Sequence, residues 1–390
     1  MAKIERVELI SFAYKTQNVH MDSGGFDTVY VPGRELDWSK YAIRITDSDG
    51  ATGSYVMQWG GTPMAYAQTR LLASRLPGRD ANHREQIFDD FKRALRQYDH
   101  MGHGAIDIAL WDLLGQKTGM SISDLLGGYR KRLPAYASSM HGDRNGGLSS
   151  PADYVEFAQR CHALGYRAFK AHGWCEGNLP EEGDLVLSLG REVGSKLTLM
   201  LDPACHIRTL SDAVRLGKAC DEAGFMWYED PFRDTGVSLH AHQMLRAAIN
   251  TPILATEHVR GIEPKADFAI GGGTDFLRAD PEYDLGITGC MKIAHLAESL
   301  GMDVEIHASG PAHRHCMSAM RNSNYYEVAL VGPKADNPLP PVYSCGYSDN
   351  LECVGEDGCV EVPDGPGLGV SYDWEYIKRN ALETVVFNAD

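Results

Sequence analysis

The period of the hydrophobic positions changes along this chain, and the first 60 residues have the pattern of strands and turns. Apolar and polar residues alternate through "YAIRITDSDGATGSYVM", with Asp49 and Gly50 at its centre. An Asp-Gly pair between two alternating segments is a strong hairpin signal. A glycine-rich stretch before it, "DSGGFDTVYVPG", predicts a loop.

A helical spacing follows from about Ala65 to Lys117. Its last part, "GAIDIALWDLLGQKTG", predicts a helix with one apolar face that stops at Gly119. That face is formed by Ile106, Ala109, Leu110 and Leu113.

Beyond "LLGGYRKR", short β-type runs alternate with amphipathic helical stretches. Eight such units predict a parallel (β/α)8 barrel, because parallel strands need helical crossovers and eight strands close a filled cylinder. A doubly wound sheet also alternates in this way, so the pattern alone leaves both architectures open. The runs are "LPAYASSM", "YRAFKAHG", "KLTLMLDP", "FMWYEDP", "PILATEH", "DFLRAD", "MDVEIHA" and "NYYEVALV".

Composition narrows the class of protein. The formal net charge of −16 argues against nucleic acid, whose phosphates would be repelled. No segment reaches the roughly 18 apolar residues of a membrane helix, and the start, "MAKIERVELISF", has no features of a signal peptide. The nine cysteines lack CxxC spacing, which is typical of reduced thiols. We expect a cytoplasmic protein that binds neither nucleic acid nor membrane.

Polar residues end consecutive predicted strands, where an active site forms in a barrel. Three carboxylates from neighbouring strands would raise one another's pKa unless a cation lay between them. Oxygen ligands suit Mg²⁺ better than Zn²⁺. A helix cap or a solvated loop is the commoner role for any single acid. The third to eighth strands carry, in order, Asp202, Glu229, Glu257, Asp280, His307 and Glu327.

The second strand carries Lys170 and His172, two residues apart, so both side chains point to the same side. Two basic groups in one space are costly to bury unless an anion lies between them. A purely structural pair is the alternative. By the same alternation, Asp230 and His258 should point away from their neighbouring acids and play a structural or supporting role.

In order and spacing, several segments resemble the enolase superfamily, specifically its mandelate racemase branch. The resemblance implies a modified TIM (β/α)8 barrel of class α/β with an N-terminal α+β capping domain. Its expected parts are a capping domain at 1–130, a barrel at 131–350, and a segment at 351–390 that packs back on the cap. The segments are "GAIDIALWDLLGQKTG", "LLGG", "MLDP", "YEDP", "ATEH", "RADPEYDLGITG", "EIHASG" and "VPDGPGLGV".

The same resemblance implies roles for the polar residues. Asp202, Glu229 and Glu257 would bind one Mg²⁺, and Asp280 with His307 would form a carboxylate–imidazole dyad. Glu327 would hydrogen-bond the substrate carboxylate or the enediolate. The shared chemistry is removal of the proton α to a carboxylate, and it needs a base such as Lys or His together with Mg²⁺.

The Lys-x-His pair departs from the family's commoner Lys-x-Lys. A histidine needs no large pKa shift to act near neutrality, so His172 could serve as base or acid while Lys170 stabilises the enediolate. Lys170 or His307 as the base remains open. Family members with histidine at this site favour an acid-sugar dehydratase that forms a 2-keto-3-deoxy acid. The alternatives are a racemase, an epimerase, a cycloisomerase, or a degenerate barrel that only binds acids.

The substrate is expected to be a small carboxylate, with a polyhydroxy acid favoured by the polar loop residues near the start. The resemblance also implies a homo-oligomer of unspecified size. Predicted substrate contacts come from the capping loops and from the loops after the second and third barrel strands: His20, Trp59, Trp174 and His206.

Overall fold

The computed structural model describes residues 2–25, 27–174, 176–233 and 237–389. Its N-terminal part, the cap, is built on three antiparallel strands, and a strand from the C-terminal end adds to the same sheet. The predicted hairpin is present, and Gly50 in its turn has φ +84°. The strands are β1 (Ile4–Met21), β2 (Thr28–Asp47) and β3 (Thr52–Val56).

The cap helices pack on this sheet. The predicted helix before Gly119 is present, and Gly119 itself caps it at φ +70°. At Gly53, an added Cβ would lie 2.1 Å from the carbonyl oxygen of Ala109, so only glycine permits this close approach of strand and helix. The helices are α1 (Pro63–Ala73), α2 (Arg84–Ala94), α3 (Gly104–Thr118) and α4 (Ile122–Leu125).

In the described residues, eight parallel strands follow, and seven helices connect them. The strand order is β10-β9-β8-β7-β6-β5-β4-β11, so each consecutive pair from β4 to β10 is adjacent. The expected barrel strands are therefore all present. The strands are β4 (Arg132–Ser139), β5 (Ala168–Ala171), β6 (Thr198–Leu201), β7 (Trp227–Glu229), β8 (Ile253–Ala255), β9 (Phe276–Ala279), β10 (Asp303–Ile306) and β11 (Tyr326–Val331).

The connecting helices cover the outside of this sheet with their apolar faces. Several begin at a Ser or Thr whose side chain accepts from a backbone N–H of the first turn, as Ser150 and Thr209 do. The helices are α5 (Pro151–Leu164), α6 (Leu179–Val193), α7 (Leu210–Ala223), α8 (Leu239–Arg246), α9 (Ile262–Ile270), α10 (Gly286–Ser299) and α11 (Pro311–Ala319).

An apolar floor lies on the concave side of the parallel sheet. It consists of one buried residue from each of five adjacent strands, with Phe276 and Tyr325 packed against them. Residues from both halves of the strand order meet here, so the sheet is curled around a common interior. The floor residues are Tyr136, Ala168, Met200, Trp227 and Leu254.

The C-terminal segment returns to the cap. Its last strand lies antiparallel to β1, with Val7 opposite Phe387. None of the helices in the described ranges is long and apolar enough to cross a membrane. The elements of this segment are β12 (Cys359–Glu361), which pairs with β4, then α12 (Trp374–Arg379) and β13 (Ala381–Asn388).

Candidate active site

A charged layer lies directly above the apolar floor. Alternate residues of a strand point to the same side, so the residue two positions after each floor residue faces the same interior. Two positions after three of the floor residues, and two positions after Phe276 and Tyr325 packed against them, the residue is charged, and all five of these side chains are buried. The layer consists of Lys170, Asp202, Glu229, Arg278 and Glu327.

Lys170 is the centre of this layer. Its Nζ lies 3.1 Å from Asp202, 2.9 Å from Glu229 and 3.0 Å from Glu327. Burial opposes its charge, but Glu229 and Glu327 outweigh burial and raise the pKa of Lys170 well above its ordinary value. Lys170 is therefore a fixed cation in this arrangement, and the three carboxylates hold it in one position.

Arg278 is a second buried cation, which is not among the residues predicted from the sequence. Its Nε lies 2.8 Å from Glu229, and its Nη2 lies 2.7 Å from Glu327. Nη2 also donates to the hydroxyl of Tyr136 in the floor. Strand alternation carried a usable signal, because Arg278 lies two residues before Asp280 in "LRAD". Together with Lys170 it fixes both Glu229 and Glu327.

Glu327 is positioned by three donors. Besides the two cations, the backbone N–H of Ala308 donates to its Oε2 at 2.7 Å. Burial opposes ionisation of Glu327, but Lys170 and Arg278 outweigh burial and lower its pKa. Its carboxylate is thus kept ionised and in one orientation.

His172 lies beside Lys170 at the end of the second barrel strand. Its Nδ1 donates to the carbonyl of Ser139 at 2.7 Å, and its Nε2 lies 3.1 Å from Asp202. The bond from Nδ1 fixes the ring and leaves Nε2 as the nitrogen that can exchange a proton. The ring of His141 packs 4.8 Å from that of His172. The predicted Lys170–His172 pair thus shares one space.

The mouth of the barrel is the end at which the parallel strands finish. Asp280 and His307 form a close pair on its opposite side, four to five strands away from His172. Nδ1 of His307 lies 2.6 Å from Asp280, and its Nε2 lies 3.3 Å from Glu257. Burial opposes a charge on His307, but Glu257 and Asp280 outweigh burial and raise its pKa to about 9. His313, which the sequence did not single out, lies 3.3 Å from the other oxygen of Asp280.

Asp230 and His258 differ from expectation. Ligand atoms of Asp230, Glu257 and His258 all lie within 4.8 Å of one another, so these side chains converge instead of pointing apart. Alternation fails here because the strands have already ended: Asp230 has φ +27° and Thr256 has φ +90°. The prediction that Asp230 and His258 face away from the acids is therefore wrong.

The carboxylates at this point of the mouth fit a hard divalent cation. Asp230 is 2% exposed, and its Oδ1 has no hydrogen-bond partner among the described residues. Burial raises the pKa of Asp230 well above its ordinary value, and the charges of Glu257 and Glu229 raise it further. A cation among these oxygen atoms would remove both the desolvation cost and the repulsion. Glu229 directly precedes Asp230 at the end of β7, and Asp202 follows the adjacent strand β6.

One loop of the cap reaches the barrel mouth through Asp27. Its Oδ2 lies 2.7 Å from Nε2 of His206, and its Oδ1 lies 3.3 Å from Nε2 of His141. Val29 also forms a bridge with His141. Neither Asp27 nor His141 carried a sequence signal, because 114 residues separate two side chains that only the fold brings together.

A second loop of the cap, between β3 and α1, is held by Glu282 of the barrel. The backbone N–H groups of Gln58, Trp59 and Gly60 donate to this carboxylate at 2.7, 2.8 and 2.5 Å. The hydroxyl of Tyr55 adds a fourth bond at 2.6 Å. Glu282 is fully buried and lies two residues after Asp280, so the loop is fixed beside the Asp280–His307 pair.

Two of the four predicted substrate contacts lie in loops at the mouth, and the other two donate to backbone carbonyls. His206 is tied to the mouth by Asp27, and Trp59 is half-buried in the second cap loop with an indole Nε1 that has no partner among the described residues. His20 is half-buried and donates to the carbonyl of Met21. Trp174 is 2% exposed and donates to the carbonyl of Leu148, so it packs in the wall behind the mouth. A substrate contact by any of them stays a prediction.

Comparison with known proteins places this architecture in one family. The enolase C-terminal domain-like model matches residues 153–376, and the mandelate racemase/muconate lactonizing enzyme N-terminal domain model matches residues 39–127. The first match alone covers more than half of the chain. This chain is therefore an enzyme of the mandelate racemase/muconate lactonizing enzyme family in the enolase superfamily, which confirms both the resemblance and the expected capped-barrel fold.

Individual relatives have related activities. The 3,6-anhydro-α-L-galactonate cycloisomerase of Streptomyces coelicolor is 29% identical over 90% of this chain and 93% of its own length. The D-galactarolactone cycloisomerase of Agrobacterium fabrum is 30% identical over 87% and 89%. The structure of D-glucarate dehydratase from Agrobacterium tumefaciens, complexed with magnesium, is 28% identical, has a TM-score of 0.85 and covers 98% and 99%. All three are named as enzymes acting on sugar acids or their lactones.

Proposed function

We propose that this enzyme is a Mg²⁺-dependent acid-sugar dehydratase. It removes the proton α to the substrate carboxylate, forms an enediolate and expels the 3-hydroxyl, which gives a 2-keto-3-deoxy acid. The observation that carries the proposal is the pairing of two histidines across one mouth: His172 on one side and His307, held by Asp280, on the other. Elimination needs one group to take a proton and another to supply one, and this arrangement provides both.

Mg²⁺ is assigned to Asp202, Glu229 and Glu257, as the family resemblance implies. Of these, Glu257 lies in the cluster with Asp230 and His258, whereas Asp202 and Glu229 contact Lys170. When bound, the ion supplies positive charge next to the substrate carboxylate, where negative charge grows as the α-proton leaves. The magnesium in the related D-glucarate dehydratase supports this choice of ion. The donor set supports it as well, because it is dominated by carboxylate oxygen atoms.

Lys170 is assigned the role of a cation and not that of a base. Its pKa is raised well above the ordinary value, so it holds its proton near neutrality. A fixed charge in a buried site stabilises an anion strongly because no reorganisation is needed during the reaction. Glu327, held by Lys170 and Arg278, lies where it can orient a hydroxyl or an enediol proton.

The two histidines are assigned opposite roles. Nδ1 of His172 is committed to the carbonyl of Ser139, and its Nε2 faces Asp202. With Asp202 engaged by Mg²⁺, Nε2 would be the nitrogen that accepts the α-proton. The Asp280 carboxylate favours the protonated ring of His307, which can donate its Nε2 proton to the departing 3-hydroxyl. Asp280 stabilises the charged ring before that transfer.

Cycloisomerisation is the second candidate, and the two cycloisomerases among the relatives favour it. Opening a lactone or an anhydro ring also begins with loss of an α-proton, so the same residues would serve. The leaving oxygen would then stay attached to the product. Racemisation or epimerisation would use both histidines on a substrate that has no group to expel.

Product mass separates these reactions. The enzyme, loaded with Mg²⁺, would be incubated with aldonic acids, aldaric acids and their lactones, and the products analysed by mass spectrometry and proton NMR. We expect one acid to lose a single water and give a 2-keto-3-deoxy product. Conversion without a change in mass would establish the isomerase instead. If no acid or lactone were converted, the proposed function would be wrong.

A further inference from the structure

His141 is an unusual side chain at the mouth, because one of its ring nitrogens is buried with nothing to bind. The residue is 6% exposed and follows the first barrel strand. Its Nδ1 has no hydrogen-bond partner among the described residues, although buried polar atoms are nearly always paired in folded proteins. The ring packs against that of His172, which is assigned to the reaction. A ligand that reaches His172 therefore passes close to this nitrogen.

Asp27 determines which of the two nitrogens carries the proton. Nε2 of His141 lies 3.3 Å from Oδ1 of Asp27. A carboxylate can only accept, so the neutral ring keeps its proton on Nε2 and presents a bare lone pair at Nδ1. Burial lowers the pKa of His141 to about 4 against the opposing effect of Asp27, which keeps the ring neutral at working pH. Nδ1 is thus a hydrogen-bond acceptor.

We propose that Nδ1 of His141 accepts a hydrogen bond from a substrate hydroxyl, and that this end of the pocket selects polyhydroxy monocarboxylic acids over the corresponding dicarboxylic acids. A hydroxyl can donate to Nδ1. A second carboxylate cannot, and it would also meet the negative charge of Asp27. This inference rests on the proposed function, since it names the substrate class of the same site.

The cations near the cap do not reverse this preference. Lys40 is buried and donates to the carbonyl of Trp59. Arg260 lies on the loop that follows β8, with its guanidinium over the ring of Tyr283. That ring in turn stacks on His307. In the strand order β8 is four strands away from β4, which precedes His141, so Arg260 belongs to the opposite side of the mouth.

The test compares each aldonic acid with the aldaric acid of the same configuration. For the wild-type enzyme we expect kcat/KM to favour the aldonate. His141→Leu removes the acceptor and should raise KM for the aldonate by roughly tenfold to a hundredfold, the effect of one lost buried polar contact, with a smaller change in kcat. His141→Asn keeps an acceptor and a donor and should recover part of the loss. His295→Asn, an exposed histidine on α10, is the matched control and should leave KM unchanged.

Asp27→Asn is an independent test of the substrate preference, because it removes the charge that opposes a second carboxylate. The ratio of kcat/KM for aldarate to that for aldonate should rise in this variant. A readout that needs no variant is nitrogen-15 NMR of the histidine rings in the wild-type enzyme. We expect His141 to be protonated on Nε2, and its Nδ1 resonance to shift when the aldonate binds.

Different negative results would refute either the proposed function or the inference about His141. If neither class of acid is bound or converted, the proposed function fails. If acids are converted but the aldarate is used as well as the aldonate, and His141→Leu leaves KM unchanged, the inference about His141 is overturned while the dehydratase proposal stands. Protonation of Nδ1 in the NMR experiment would overturn it as well.

Discussion

Nδ1 of His307 lies 2.6 Å from Oδ2 of Asp280, and the two side chains occupy the ends of adjacent barrel strands. The contact fixes the imidazole and directs its Nε2 into the mouth. His307→Asn should therefore abolish turnover while the fold and Mg²⁺ binding remain intact. Steady-state kinetics, circular dichroism and calorimetric titration of Mg²⁺ would check this. Full turnover in a folded variant would remove His307 from the mechanism.

Glu257 connects the proposed metal site to the dyad, because it lies near both His307 and His258. Glu257→Gln should strongly weaken Mg²⁺ binding. Asp230→Asn should weaken it by about tenfold to a hundredfold, which is typical of groups that support metal ligands. Calorimetric titration of the metal gives both affinities, and Glu192→Gln on the exposed face of α6 is the control. Unchanged affinity in Glu257→Gln would refute the ligand assignment.

Lys170 neutralises three buried carboxylates, so its removal should affect both activity and stability. Lys170→Met leaves Glu229 and Glu327 to Arg278 and Asp202 to His172, and should cost about 3–5 kcal/mol in the free energy of unfolding without metal, the usual cost of breaking a buried ion pair. Activity should be lost at every pH. Denaturant titration and a pH–rate profile would measure these effects. Activity that returned at high pH in the variant would contradict the role of a permanent cation.

Glu282 joins the second cap loop to the barrel through four hydrogen bonds. In Glu282→Gln, an amide NH₂ replaces one carboxylate oxygen, so a donor faces backbone N–H groups that also donate. Each bond to a buried charged group is worth about 1.5–3 kcal/mol, so we expect a loss of roughly 3 kcal/mol or more in unfolding free energy. Glu35→Gln, on the exposed surface, should change it by less than about 0.5 kcal/mol. Equal stability of the two variants would show that Glu282 is not the anchor.

His103 makes stability depend on pH. Burial lowers its pKa to about 3, whereas the unfolded chain titrates near about 6.5. Between these values the unfolded state binds a proton that the folded state does not, so stability is lost as the pH falls below about 6.5. The ring packs between Phe88 and Phe91, so His103→Phe should fit and weaken this dependence by up to about 1.4 kcal/mol per pH unit.

Denaturant titrations at several pH values from 7.5 to 4.5 would test this. His295→Gln, which replaces an exposed histidine, should keep the wild-type dependence. A His103→Phe curve parallel to that of the wild type would mean that His103 is already protonated in the folded protein.

Much of the fold could be predicted because it depends on local patterns. The eight β-type runs became β4 to β11, the Asp49-Gly50 pair formed the hairpin turn, and Gly119 ended its helix. The acids at the strand ends were also visible in the sequence, since a change from apolar to charged residues within one strand is a local signal. Arg278 followed the same rule and could have been found.

The remaining site residues depend on contacts that no local pattern records. Asp27 and His141 meet only after the cap has packed on the barrel, and Glu282 acts through backbone groups of the other domain. Asp230 lies one residue beyond the end of β7, where φ becomes positive, so strand alternation does not describe its direction. Periodicity holds only as long as the strand lasts.

The central claim is that a divalent cation is needed to remove the proton α to a carboxylate, and that His307 is needed to expel the 3-hydroxyl. The most direct measurement is proton NMR of the reaction of the identified acid in D₂O, with wild-type enzyme, metal-free enzyme and His307→Asn. We expect the 2-keto-3-deoxy product, with solvent deuterium at C3, only from the wild-type enzyme with Mg²⁺, and no loss of the C2 proton in the metal-free enzyme. Equal conversion by the metal-free enzyme or by His307→Asn would contradict it.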